Sequence, residues 1–497
     1  MTMKRRDALK TLGGLAGAAG MARLLPGCSG ADEPERPVGI TTYVYLMMEN
    51  RTYDAVLGAR ALEGLPGDGL RAGFSNPDLN GTAVASFAAP VDRGTSVATV
   101  CDPDPPHAWT PSHNAFNSGA MDGFLREHQK RHGNSVAAIE PMKYLTRAHA
   151  PITWALADAY TSCDRWFASV MGPTLPNRAY WHTGTSFGLD NNQAVLNAFA
   201  SVPVPTIYNR LVEGGVDWAY YYGNLAVAAL LASPGPYQID IGPNDGTGNA
   251  RRFGDARYGA GQFFKDAAAG KLPPVVYIDP SFGVNDDHPP AHPILGQELI
   301  AAVYTALATS PQWNNVMLVI TYDEHGGYFD HVPPPMTTDD TFERFGIDGF
   351  RQLGFRVPAL VVGPYAKQGY VSSVTYDHTS ALKHLQSTFG LASLTPRVDA
   401  ANDLLDCIDM DRLARGEPAP PVELPVLDAL EWPIDHASCI GASGIPAEDL
   451  TGEENDTLEA WADKHPEAFA GGYDLRGDHA QYLRSIRAYL RSHGRVR

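Results

Sequence analysis

Two short segments, Glu49-Asn50 and Asp323-Glu324, carry the side chains whose types point first to chemistry. Each follows an apolar run of strand length. Three carboxylates and an amide oxygen at converging strand ends would make an oxygen-rich cage for a hard divalent cation. Either pair alone is ordinary, because strand-end acids also cap helix N-termini or pair with arginine. A third segment, Met171-Gly172-Pro173-Thr174-Leu175-Pro176-Asn177-Arg178, reads as the start of a helix, since Pro176 suits a first turn where its missing N–H is no loss. Thr174 then falls at or near the N-cap, among free backbone N–H groups where a phosphate can dock. A plain Thr cap is the simpler role. Beside both a metal and a helix N-terminus, the same hydroxyl would have its alkoxide stabilised and serve as a nucleophile. Three polar-loop histidines complete the set: His107 after Asp102-Pro103-Asp104-Pro105-Pro106, His288 in Asn285-Asp286-Asp287-His288-Pro289-Pro290, and His378 in Tyr376-Asp377-His378-Thr379-Ser380. Such a histidine can protonate a leaving alkoxide or hold a phosphoryl oxygen. A structural hydrogen bond is an equal alternative for any one of them.

The elements that must position these residues show as apolar runs. Residues 40–48 end at Glu49, 275–278 at Asp279, 316–322 at Asp323, and 357–362 at Gly363-Pro364. Short runs rich in Val, Ile and Tyr, with little alternation, suit strands buried on both faces of a parallel sheet. Between the second and third, residues 296–309 place Leu299, Ile300, Val303 and Leu307 at helical spacing. The order is therefore β-α-β, which predicts an α/β sheet covered by helices. Ligands of such sheets sit beyond the carboxyl ends of the strands, where both acid pairs fall. Residues 400–446 are Pro-rich and irregular, and 448–463 are acidic. Residues 479–497 form a basic amphipathic stretch with Tyr482, Leu483, Ile486, Tyr489 and Leu490 on one face. It reads as a terminal helix docked on the body, with a membrane-surface helix as the alternative.

Composition narrows the classes. A chain of 497 residues, 44% apolar, suffices for one large catalytic unit or two to three ordinary domains. Its 38 Lys+Arg against 56 Asp+Glu give a formal charge of −18, which excludes a nucleic-acid binder relying on a basic face. From residue 29 onward no apolar stretch reaches the roughly 18 residues of a spanning helix. At the start, Lys4-Arg5-Arg6-Asp7-Ala8-Leu9-Lys10 precedes a weakly apolar stretch, the form of a twin-arginine export signal. Leu24-Leu25-Pro26-Gly27-Cys28 resembles a bacterial lipoprotein cleavage box, whose cysteine takes the lipid. An exported chain is expected, in the periplasm, the cell envelope or outside the cell. The twin-arginine machinery would carry it, Cys28 offers a membrane anchor, and residues 29–37 form a solvated tether. The remaining Cys101, Cys163, Cys407 and Cys439 are even in number, as suits an oxidising compartment, and sequence proximity favours pairing 101 with 163 and 407 with 439. None has the C-x-x-C spacing of a zinc–thiolate site.

Longer motifs carry a resemblance. Glu49-Asn50-Arg51-Thr52-Tyr53-Asp54, the Gly172–Arg178 segment, Asn285-Asp286-Asp287-His288-Pro289 and Ile320-Thr321-Tyr322-Asp323-Glu324-His325-Gly326-Gly327-Tyr328-Phe329-Asp330-His331-Val332-Pro333 resemble the bacterial phospholipase C and acid phosphatase (phosphoesterase) family. The plant non-specific phospholipases C are part of that family. Cys163-Asp164-Arg165-Trp166-Phe167-Ala168 and Ser310-Pro311-Gln312-Trp313-Asn314 fall in register, so the resemblance runs from about residue 38 to 392. Thr-x-Pro-x-Arg is also similar to the sulfatase nucleophile motif, but threonine cannot become the aldehyde that sulfatases use. The resemblance implies an alkaline-phosphatase-like α/β sandwich, with a mostly parallel sheet, helices on both faces, and a catalytic domain over 38–400 followed by an irregular extension over 401–497. It implies one divalent metal ion at Glu49, Asn50, Asp323 and Glu324, with Thr174 as nucleophile and His107 and His288 as phosphoryl-binding or acid/base groups. Asn177 and Arg178 would position the loop or a phosphoryl oxygen, and His378 is a third substrate-binding candidate. The expected reaction is double displacement on a phosphate ester through a phospho-threonine. A phospholipid cut in the manner of phospholipase C is the leading substrate, and an acid phosphomonoesterase would use the same parts. A surface lipoprotein that has lost activity is the alternative from another class. The family's second histidine after Asp-Asp-His-Pro falls at His292, and residues beyond about 400 match nothing.

Overall fold

The computed structural model describes residues 39–90, 103–192, 205–224, 227, 250–252, 261–428 and 479–497. The leader, Cys28, the tether, Cys101, Cys439 and the acidic 448–463 stretch lie outside the described residues. Eight strands form the main sheet: β1 Thr42–Met48, β2 Thr161–Cys163, β3 Trp218–Tyr222, β4 Ala250–Arg252, β5 Val275–Asp279, β6 Val316–Tyr322, β7 Ala359–Val362 and β8 Tyr370–Ser372. Their spatial order is β8-β2-β7-β6-β1-β5-β3-β4. β1 lies at the centre, with Val44 opposite Val276 of β5 and Leu318 of β6, both in parallel register. All seven residues of β1 and of β6 are buried, the double-sided burial that their unbroken apolar runs require.

β7 departs from the expected parallel sheet. It pairs antiparallel with both β6 and β2. Residues 357–362 could not reveal this, because a strand buried on both faces has the same composition in either direction. An antiparallel neighbour also needs no helical crossover. The remaining pairs are parallel, so the sheet is mostly parallel as expected.

Helices cover both faces. The principal ones are α1 Trp109–Phe116, α2 Phe124–Arg131, α3 Pro151–Ala159, α4 Thr174–Thr183, α5 Ile207–Glu213, α6 Gln262–Ala268, α7 Pro293–Ala308, α8 His378–Phe389 and α9 His479–Ser492. Tyr43 and Tyr45 of β1 meet Phe389 of α8 and Trp181 of α4 edge-on, and Tyr220 of β3 meets Tyr208 of α5. The next residue of β3, Tyr221, points the other way and packs on Phe263 of α6, as the two-residue strand period demands. α7 lies with α3, α6 and α9 on that second side.

The terminal helix docks on the body as expected. The apolar stripe of α9 is not free for a membrane surface, because Leu483, Ile486 and Leu490 are buried in the core and Arg487 pairs with Glu298 of α7 at 2.7 Å, both fully buried. Two of the cysteines make an unexpected contact. Cys163 at the end of β2 and Cys407 are buried free thiols with sulfurs 3.8 Å apart, while Cys101 and Cys439, their expected partners, lie outside the described residues. Sequence proximity gave no hint of this contact, because packing of the turn Leu404–Cys407 on β2 joins residues 244 positions apart. Among the described residues no helix is long and apolar enough to cross a membrane.

Candidate active site

Because β1, β5 and β6 run parallel, their carboxyl ends deliver Glu49–Arg51, the Asp286–His288 loop and Asp323–Glu324 to one place. Main-chain bonds stitch these loops together: Asp323 N to Met48 O at 3.1 Å, Glu49 N to Asp286 O at 2.8 Å, and Arg51 N to Glu324 O at 3.1 Å. Asn50 sits at φ +57°, a left-handed conformation that asparagine tolerates. Its N–H there donates to Asp323 Oδ1 at 3.2 Å. Gly326, at φ +60°, has to be glycine, since a Cβ there would stand 2.2 Å from Asn50 O.

The cage is buried and crowded with carboxylates. Asn50 Oδ1 and Glu324 Oε1 are buried and accept no hydrogen bond, and Glu49 Oε1 has only the Arg178 guanidinium at 3.2 Å. Burial first, and Asp323 next, push the Glu49 carboxyl well above its ordinary range. Burial pushes Asp323 up to about 7 against the pull of Arg178. Burial also works on Glu324, but His107 and His325 outweigh it and hold that group low. Orphaned oxygens on crowded carboxylates fit a hard divalent cation, which would satisfy them together. A neighbouring group, Asp104, His107 and His288, brings one ligand atom from each within 4.8 Å, and His107 Nε2 lies 3.9 Å from Glu324 Oε1. The comparable group of Asp54, Asp330 and His331 already holds a cation, because Arg356 reaches Asp54 at 3.1 Å and Asp330 at 2.9 Å.

Thr174 opens α4 as its first helical residue, after Pro173 at the N-cap, which makes no side-chain cap bond. The Thr174 hydroxyl is buried and has no hydrogen-bond partner, so it is not spent on capping. Asn192 Oδ1 takes the Leu175 N–H of that helix end instead, at 2.8 Å. His288 donates from Nδ1 to Pro289 O at 2.5 Å, leaving Nε2 buried and without a partner, while burial lowers its proton affinity. His107 donates from Nδ1 to Pro105 O at 2.7 Å, and its Nε2 accepts from Asn50 Nδ2 at 3.3 Å. That bond uses the amide nitrogen of Asn50 and leaves Oδ1 for the cage.

Residues 40–392 match the model of the Phosphoesterase family. The chain belongs to the phosphoesterase family. It is similar to non-specific phospholipase C6 of Arabidopsis thaliana, 32% identical over 380 residues that cover 71% of this chain and 69% of that one. It is also similar to phospholipase C A of Mycobacterium tuberculosis strain H37Rv, 31% identical over 432 residues, covering 78% and 81%. Among solved structures it is similar to a protein of the alkaline phosphatase superfamily from Vibrio parahaemolyticus, at 14% identity and a TM-score of 0.32, over 52% of this chain and 64% of that one. A phosphonate monoester hydrolase of Agrobacterium radiobacter is similar at 13% identity and a TM-score of 0.30, over 52% and 72%. This phosphoesterase is thus a hydrolase acting on phosphoric ester bonds.

Three expected substrate contacts of the phosphoesterase sit inside its scaffold. Arg178 is fully buried beneath the cage, held by Asp279 at 3.0 Å and by Glu49 and Asp323 at 3.2 Å each. Burial opposes its charge, but Asp323, Glu49 and Asp279 outweigh burial and raise its proton affinity. Asn177 staples the loop before Thr174, accepting from Val170 N and donating to Gly172 O and Pro173 O. His378 donates to Asp323 O at 2.6 Å and accepts from Trp166 Nε1, so both ring nitrogens serve the protein. His292 caps α7 by accepting from Ile294 N. Two contributors were missed. Asp279 ends β5 as Glu49 follows β1, a signal visible in the apolar run preceding it. Asp286 accepts from Gly283 N and His288 N and is pushed by burial up to about 7. Its place in Asn-Asp-Asp-His was the available clue.

Proposed function

We propose that this phosphoesterase is a phospholipase C that cleaves a phospholipid between glycerol and phosphate, with Thr174 as nucleophile. One observation carries the reading: a buried hydroxyl with no hydrogen-bond partner at a helix N-terminus, one turn before the arginine that binds the cage carboxylates. The phospholipase C names of the relatives support the substrate class.

The Thr174 oxygen attacks phosphorus in line, forming a P–O bond as the bond to the glycerol oxygen breaks. His288, neutral and with Nε2 bare, suits the task of accepting the threonine proton and returning it to the departing diacylglycerol oxygen. Water then cleaves the phospho-threonine and restores the hydroxyl. His107 acts as a positioning residue through Asn50. A divalent ion held by Glu49, Asn50, Asp323 and Glu324 would supply charge stabilisation to the nucleophile and the phosphoryl group. Arg178 keeps the cage carboxylates from repelling one another out of place.

The deciding experiment compares phosphatidylcholine, a chromogenic phosphocholine diester and a chromogenic phosphomonoester across pH, with and without chelator. Diester and lipid turnover lost to chelator is expected. Turnover of the monoester alone would replace the phospholipase reading with that of an acid phosphatase.

A further inference from the structure

Among the described residues, exposed large apolar side chains occur singly along the chain, except in one segment. Residues 336–347 carry Met336, Phe342, Phe345 and Ile347, exposed by 66%, 55%, 37% and 41%. Phe342 and Phe345 lie three apart on the short helix Thr341–Phe345, which places them on one side of it. Apolar groups so concentrated on a surface mark an interaction site.

The segment is rooted on the active-site wall. Buried Asp339 accepts from Tyr180 OH at 2.8 Å and pairs with Arg397 at 3.1 Å, and Tyr180 belongs to α4, the helix that Thr174 opens. Ile347 and Thr341 close against Gly188, where a Cβ would meet them at 2.9 and 3.2 Å. Trp109, two residues after His107, joins the parts: its ring would stand 3.2 Å from a Cβ on Gly172 in the nucleophile loop and 3.2 Å from one on Gly349. The exposed segment is therefore anchored to the helix that Thr174 opens and, through Trp109, to the loop before it.

Its charge selects the surface it fits. Residues 336–350 contain no lysine. Arg344, their one arginine, lies 3.8 Å from Asp340, and Glu343 pairs with Arg351. Asp348 adds a further acid, and the whole chain carries −18. An anionic membrane would repel such a patch, whereas a zwitterionic one would not.

Resting on the phospholipase reading above, we propose that residues 336–347 dock the enzyme on a zwitterionic phospholipid bilayer. Met336, Phe342 and Phe345 enter the interfacial layer while Ile347 holds the segment against Gly188, so that headgroups are presented to Thr174 without full extraction of the lipid. The test is sedimentation with phosphatidylcholine vesicles, comparing the wild-type chain with Met336→Ser/Phe342→Ser/Phe345→Ser. Vesicle binding and vesicle hydrolysis should each fall by about tenfold or more, since interfacial binding scales with the apolar area inserted. Turnover of a soluble chromogenic phosphocholine diester should stay unchanged. A second variant, Phe342→Trp, removes any doubt about folding of the triple variant: its added emission should shift to the blue when vesicles are supplied. Equal vesicle binding by the triple variant, or no shift with Phe342→Trp, would overturn the proposal. So would a wild-type dimer in solution that the triple variant dissociates. Failure of the wild-type enzyme to hydrolyse phosphatidylcholine even in detergent micelles would instead strike the phospholipase reading, leaving vesicle binding to judge the docking surface.

Discussion

Replacing the Thr174 hydroxyl by hydrogen separates chemistry from stability, because that oxygen makes no hydrogen bond. Thr174→Ala also deletes a buried methyl, so it should melt within about 1 kcal/mol of wild type, the scale of one buried methyl group. Its kcat should drop by several orders of magnitude, since no other hydroxyl takes its place in covalent catalysis. Thr174→Ser should retain part of the rate. A fully active Thr174→Ala enzyme would move the nucleophile to water. Asp323 has a different signature. Its Oδ1 accepts from two backbone N–H groups and its Oδ2 from Arg178, so Asp323→Asn loses charge while keeping an oxygen. Titration calorimetry should show weaker binding of divalent cation, with activity partly restored at high metal concentration. Unchanged affinity would remove Asp323 from the cage.

At the scale of elements, the contact between Cys163 and Cys407 predicts a covalent tie between β2 and the turn Leu404–Cys407. In an exported chain, thiol–disulfide exchange with a protein disulfide donor would oxidise the pair and reduce the donor. The bond would stabilise by roughly 2–4 kcal/mol. Alkylation of the unreduced, denatured protein followed by mass spectrometry should find neither thiol free, and labelling of both would dismiss the tie. This pair also shows where the sequence is silent. β1, β5 and β6 were legible because total burial leaves unbroken apolar runs, and the acids just beyond them exposed the cage. β2 and β8, three residues each, are too short to form a pattern. The aromatic run of β3, Trp218–Tyr222, was visible but lacked an acid to mark it. Arg178 was expected to position the loop or a phosphoryl oxygen, yet the partners that claim it, Glu49, Asp279 and Asp323, come from three strand ends. Only tertiary structure brings them to it.

Across the whole molecule, α9 returns the chain's end to the body through Arg487 and Glu298. Arg487→Met would take the arginine from a buried carboxylate and should cost about 3–5 kcal/mol in denaturant unfolding. Adding Glu298→Leu should recover most of that loss, and a single variant as stable as wild type would show that the pair is dispensable. The other end makes a separate prediction. If Arg5 and Arg6 are read together by the twin-arginine machinery, replacing both by lysine should leave the precursor in the cytoplasm. Fractionation showing normal export would assign another route.

The three main-chain bonds that join the Met48–Arg51, Asp286 and Asp323–Glu324 segments have a consequence for how such an enzyme can change. The spacing of its reactive groups is written in peptide atoms, which every residue except proline supplies alike. Side chains on those loops that make no bond to the frame can therefore change while it stands, whereas Asp323, whose carboxylate takes two of its N–H groups, and Gly326, which admits no Cβ, are part of the frame itself. A lineage built this way can try a new reactive group at the first kind of position and must keep the second.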